Sequence, residues 1–118
     1  MDLERLSYLT GLDSGLSIDV VQSAGGPVRL TVHGELDRES ADDLSREVRM
    51  VVSTPPVIEL DLTGVTFMDS AGIRCLLTCQ SMVERSGGRL VVTQASARVI
   101  EVLRITGLLS ALGLPDRG

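Results

Sequence analysis

The chain has 118 residues, 43% hydrophobic and 23% charged, which is the size and balance of one globular domain and excludes a disordered tail or a collagen-like fibre. Its 16 acidic residues against 11 basic ones give a net charge of −5, which sets it against phosphate-rich nucleic acid. No apolar run approaches the ~18 residues of a membrane span, and residues 1–16 lack the basic-then-apolar pattern of a secretory leader, so a cytoplasmic protein with no membrane contact is expected.

Composition removes further chemistry. Tyr8 and Phe67 are the only aromatic residues, so there is no platform on which bases or sugars could stack. Every basic residue is arginine, which excludes a lysine nucleophile, a P-loop lysine and the lysine of a phospho-aspartate receiver. Cys75 and Cys79 are the only thiols and His33 the only histidine, too few ligands for a structural zinc; both cysteines are expected on a helix, buried or half-buried. No metal and no cofactor are expected.

Residues 1–15 have no clear periodicity and read as a flexible lead-in. Leu16, Ile18 and Val20 then alternate with Ser17 and Asp19 as a half-buried strand. Gly25-Gly26-Pro27 turns the chain into a second strand, Val28, Leu30 and Val32 alternating with Arg29, Thr31 and His33. From Ser40 the period becomes helical: Ala41, Leu44, Val48, Val51 and Val52 share one stripe, Ser40 and Asp43 resemble a capping box, and Pro55-Pro56 ends the helix. Ile58, Leu60 and Leu62 form a third strand, and residues 63–68 read as a loop. Asp69 is a good N-cap for a helix over about residues 70–86, stopped by Gly87-Gly88. Leu90 and Val92 mark a fourth strand, Ser96 starts a last helix carrying Val99, Ile100 and Leu103, and Gly107 ends it. Residues 108–114 are apolar enough to pack.

The order β-β-α-β-α-β-α implies parallel pairing through right-handed crossovers. Because every strand alternates, the sheet is expected to carry helices mainly on one face, with a polar face opposite. The segments 34–37, 63–70 and 94–96 should then gather at the carboxyl edge, bringing Asp37, Asp69 and Ser70 together.

On the second helix Ile73, Leu76, Leu77 and Val83 share one side, while Ser70, Arg74, Ser81 and Arg85 fall on an adjacent polar side. Ser70 is therefore expected to be exposed at a helix start, where amides and dipole favour an anion, with Ala71 and Gly72 small enough for another backbone to approach. From spacing alone, Ser70 reads first as a residue that helps cap this helix.

Four segments in order, Gly34-Glu35-Leu36-Asp37, Phe67-Met68-Asp69-Ser70-Ala71-Gly72, Gly87-Gly88 and Ile105-Thr106-Gly107-Leu108, make the chain resemble the STAS-domain anti-sigma factor antagonists over about residues 16–114. Residues 1–15 and 115–118 lie outside that domain as lead-in and tail. The resemblance implies an α/β fold, a STAS-like mixed sheet of four or five strands, and a regulator that is not an enzyme. It implies that Ser70 is phosphorylated by an anti-sigma factor with serine-kinase activity and dephosphorylated by a serine phosphatase. The unphosphorylated form would bind the anti-sigma factor, so the sigma factor is reached only indirectly. Asp37, Asp69, Ser70, Ala71, Gly72 and Arg74 would form the partner-binding surface. Ala71, where many relatives have a second serine, departs from the pattern. The alternative within the same family is a non-enzymatic scaffold of a stress-signalling complex, or an accessory subunit of a lipid or anion transporter. A serine hydrolase fits poorly, since Met68 replaces the glycine two residues before the nucleophile, and a receiver lacks its lysine.

Overall fold

The computed structural model describes residues 6–10 (backbone only), 15–22, 25–51 and 57–115. Strands β1 (Leu6–Thr10), β2 (Leu16–Gln22), β3 (Val28–Leu36), β4 (Val57–Met68) and β5 (Arg89–Ala95) lie side by side in chain order, in one mixed sheet. The pairs β1/β2 and β2/β3 are antiparallel, and β3/β4 and β4/β5 are parallel. Helices α1 (Ala41–Val51), α2 (Ser70–Arg85) and α3 (Ala97–Ile105) alternate with the parallel strands, as the periodicity required.

Two sequence expectations are corrected here. The lead-in contains a strand: Leu6–Thr10 pairs with residues 18–22 of β2. Its short, mixed composition has no pattern of its own, so only the exposed edge of β2 defines it as a strand. Residues 63–68 are likewise not a loop, because β4 runs on to Met68. Its buried residues are Ile58, Leu60, Leu62, Val65 and Met68, a spacing of two that becomes three after Leu62. The register against β3 slips twice, once in each three-residue gap, each time leaving an extra residue in β4. A β-bulge turns the following side chains to the other face, so a strand that continues physically stops alternating in sequence.

One face of the sheet is dry. Ile18, Val20, Leu30, Val32, Leu60, Leu62 and Leu90 are buried, while Arg29, His33, Thr63 and Thr93 on the opposite face are exposed. Right-handed crossovers put α1 and α2 on the same, apolar face. There Leu44 and Val48 of α1 join Leu76 and Val83 of α2, and Val99 and Leu103 of α3 complete the core. The expected α1 stripe holds for Leu44, Val48 and Val51, with Ala41 half-buried and Met50 exposed on the polar side; Val52, Pro55 and Pro56 lie outside the described residues.

Residues 108–114 do pack. Leu109, Leu112 and Leu114 are buried around a short 3-10 turn, Ser110–Leu112, and Gln80 of α2 donates its amide to the Ala111 carbonyl at 2.8 Å. Of residues 115–118 only the exposed Pro115 is described.

Candidate functional site: the end of β3 and β4

β3 and β4 stay paired to their last residues, Leu36 opposite Met68. The Asp69 amide then donates to the Leu36 carbonyl at 3.4 Å, so the two strands release their helices side by side. Gly72 makes this possible. It is buried in the first turn of α2, and a Cβ there would run into the Leu36 carbonyl oxygen and the Met68 side chain. The turn after β3, with Asp37, is thereby held against the turn that carries Asp69 and Ser70. Asp37, Asp69 and Ser70 come together as expected.

The third segment does not join them. β5 pairs with β4 only as far as Leu62 opposite Ala95, and Ser96 bonds back to the Leu62 and Val65 carbonyls. From Val65, the furthest point that Ser96 reaches, three more residues of β4 lead to Met68, about 10 Å at the ~3.3 Å rise of a strand. The carboxyl edge is therefore stepped, and the site belongs to β3 and β4 alone.

The predicted site residues divide by what their polar atoms do. Asp69 is the N-cap of α2: its backbone is extended, and its Oδ1 accepts the Gly72 amide at 3.0 Å. Asp37 performs a similar task before α1, its Oδ1 accepting from the Glu39 amide at 3.0 Å and the Ser40 amide at 3.1 Å. The capping box read between Ser40 and Asp43 is replaced by this turn. Ser40 is fully buried, donates its hydroxyl to the Glu35 carbonyl at 2.6 Å and accepts from the Asp37 amide at 3.0 Å. Asp37 is thus a builder of the surface as well as a candidate contact on it.

Ser70 is different. It is exposed, and within the described residues its hydroxyl makes no hydrogen bond. Capping is done by Asp69, so the reading of Ser70 as a cap is not what the geometry shows. Arg74, one turn on, is exposed beside it, and Ala71 is half-buried. The polar side holds as expected, with Ser81 and Arg85 also exposed.

The buried side of α2 lies further round than the sequence placed it. Gly72, Cys75, Leu76, Cys79 and Val83 are buried, whereas Ile73 and Leu77 are half-buried. The cause is α1: its small residues Ala41 and Ser45 let α2 come close through Cys75 and Cys79, the Ser45 hydroxyl lying 3.4 Å from the Cys75 sulfur. Between the two helices runs a groove of about 280 Å³, lined by residues that include Arg38, Ser45, Ala71, Arg74 and Cys75.

Arg38 and Phe67 were not among the expected site residues; Arg38 lines the groove, whereas Phe67 stands on the opposite side of β4 from the buried Met68. Arg38 is exposed at the mouth of the groove, and Phe67 is 38% exposed beside the Ser70 turn, paired with Glu35. An aromatic residue three positions before the serine, in a chain with two aromatics, was the available signal for Phe67. His33 is exposed against Gly64, on the polar face of β3, as alternation required.

The family model described as "Mlab, STAS domain" matches residues 20–113. The chain belongs to the STAS domain family. It is 29% identical over 93 residues to the anti-sigma-B factor antagonist of Bacillus subtilis (strain 168), covering 79% of this chain and 84% of that one. Its fold is similar to an anti-sigma factor antagonist from Mycobacterium paratuberculosis, with a TM-score of 0.73, 23% identity, and coverage of 89% and 90% of the two chains. It is also similar to the Bacillus cell fate determinant SpoIIAA in the phosphorylated form, with a TM-score of 0.58, 18% identity, and coverage of 95% and 93%. The STAS domain here thus has the fold and the relatives of anti-sigma factor antagonists. Among its described residues no helix is long and apolar enough to cross a membrane, and no cluster of three or more His, Cys, Asp or Glu could hold a metal ion.

Proposed function

We propose that this STAS domain is an anti-sigma factor antagonist whose binding is switched by phosphorylation of Ser70. One observation carries the reading: Ser70 is the exposed, unbonded hydroxyl at the start of α2, flanked by groups that are already committed to the fold. In its unphosphorylated form the chain binds an anti-sigma factor with serine-kinase activity, in the cytoplasm, and so frees a sigma factor that it does not itself touch. Asp37, Asp69, Ala71 and Arg74 border the contact, whereas Gly72, expected on the same surface, is buried beneath it against Leu36 and Met68. The chain is a binding partner and kinase substrate, not an enzyme, and a serine phosphatase resets it.

Physical chemistry supports a switch of this kind. Phosphorylation adds about −1.5 to −2 charges and three acceptor oxygens. At a helix start such a group is tolerated, because the dipole and the first amides favour an anion and Arg74 is one turn away. Docked against a partner it has to be desolvated near Asp37 and Asp69, and like-charge contact of that sort costs several kcal/mol. Each ~1.4 kcal/mol is tenfold in affinity, so exclusion at the interface suffices without a conformational change. Amide chemical shifts of the two forms are expected to differ only around residues 69–74; shifts spread through β2–β5 would refute exclusion as the mechanism.

The test is intact mass after incubation with a cognate anti-sigma kinase and ATP, alongside Ser70→Ala. The wild type is expected to gain one phosphate and the variant none. Phosphate on both moves the site elsewhere. A stable complex without phosphate on either favours the second reading, a transporter-accessory or scaffold role.

A further inference from the structure

We infer that Cys75 and Cys79 form a peroxide-sensitive dithiol in the groove between α1 and α2, a modification site on the same helix as Ser70. The two residues are one helical turn apart, with sulfur atoms 4.0 Å from each other. Both are free thiols, and Ser45 of α1 reaches both, at 3.4 Å and 3.9 Å. Cys75 lines the groove and keeps 5% of its surface, whereas Cys79 is sealed at 0%. That difference sets the order of events, since only Cys75 is within reach of a small reagent entering the groove.

Its electrostatics suit the role. As a thiol Cys75 donates to the Ala41 carbonyl at 3.3 Å; ionised, it accepts from Cys79 and Ser45 instead. The Cys79 thiol, then the Ser45 hydroxyl, hold Cys75 below the ordinary thiol range, against the opposing effects of burial and of Asp42. Cys79 is held up by the same bond and by burial, and so retains its proton. The thiolate is the nucleophile in cysteine chemistry.

The chemistry balances with hydrogen peroxide as the oxidant. The Cys75 thiolate attacks one peroxide oxygen, the O–O bond breaks and hydroxide leaves, giving a sulfenic acid; sulfur is oxidised by two electrons and peroxide is reduced. The Cys79 sulfur then attacks the Cys75 sulfur, the S–O bond breaks, and the departing hydroxide takes up the Cys79 proton as water. Helix positions four apart hold their Cβ atoms about 5–6 Å from each other, whereas a disulfide holds them at about 3.5–4.5 Å. Closure therefore draws two turns of α2 together, and Cys75 gives up its bonds to Ala41 and Ser45, which are part of how α1 seats against α2.

The experiment uses the isolated full chain and hydrogen peroxide, with intact mass and peptide mapping as readouts. The wild type is expected to lose the mass of two hydrogen atoms within one chain, with the bond mapped to Cys75 and Cys79. Cys79→Ala is expected to gain one oxygen at Cys75, trapped by a sulfenic-acid-specific reagent but formed more slowly than in the wild type because the bond that favours the Cys75 thiolate is gone, and Cys75→Ala is expected to stay unmodified. Iodoacetamide should label Cys75 of the wild type with a rate that rises at a pH below that of an ordinary cysteine thiol. Labelling that rises only near pH 9, oxidation of Cys75→Ala as fast as the wild type, a disulfide between two chains, or an unmodified wild type under conditions that oxidise a cysteine peptide would each overturn the inference. Because the wild-type mapping and labelling need no substitution, a variant that fails to fold does not decide the matter. No partner is present, so failure here leaves the anti-sigma reading intact.

Discussion

Ser40 and Ser70 both stand where a strand hands over to a helix, each close behind an aspartate, and the two turns lie next to each other. Ser40 is fully buried, with its hydroxyl bonded to one carbonyl and one amide of the turn before α1. Ser70 is exposed and, within the described residues, unbonded, because the neighbouring Asp69 side chain takes the capping amide. Two similar pieces of sequence thus serve opposite ends: one hydroxyl holds the surface together, and the other is left available on it. A modifiable residue next to a rigid frame is what a charge switch needs, since the frame need not move when the charge arrives.

Substitutions can break that contrast, and the largest effect is expected at Ser40. Ser40→Ala leaves the Glu35 carbonyl and the Asp37 amide without their buried partner, and should lower unfolding free energy in urea by about 2–3 kcal/mol. Gly72→Ala pushes a methyl group against the Leu36 carbonyl, so a loss of about 1–3 kcal/mol is expected, together with altered amide signals in both turns. Asp69→Ala removes the α2 cap and should cost about 1 kcal/mol by the same titration. Smallest of all, Ser70→Ala should stay within about 0.5 kcal/mol of the wild type, as for a surface position without partners. Its effect should appear only as loss of phosphorylation. Were Ser70→Ala to destabilise the fold as much as Ser40→Ala, the contrast between the two serines would be lost, and with it the case that Ser70 is free for modification.

Much of the chain was legible because its strands alternate and its helices carry narrow apolar stripes. The order of elements from residue 16 onward, the polar second face of the sheet and the meeting of Asp37 with Asp69 and Ser70 all follow from that pattern. Where the pattern broke, the sequence misled. β4 stopped alternating at Leu62 because two bulges turned its later residues, and β1 carried no pattern that could distinguish it from a lead-in.

By itself the sequence determined the α/β class, the exposed helix-start serine and the absence of lysine chemistry, since periodicity and composition are local properties. Only the tertiary structure decided that Asp37 and the buried Ser40 build the turn before α1, that the edge is stepped so that β5 ends short of the site, and that α2 turns its two thiols towards α1. Those outcomes depend on which backbones can come close, and close approach is set by residues such as Gly72, Ala41 and Ser45 acting on partners far away in the chain.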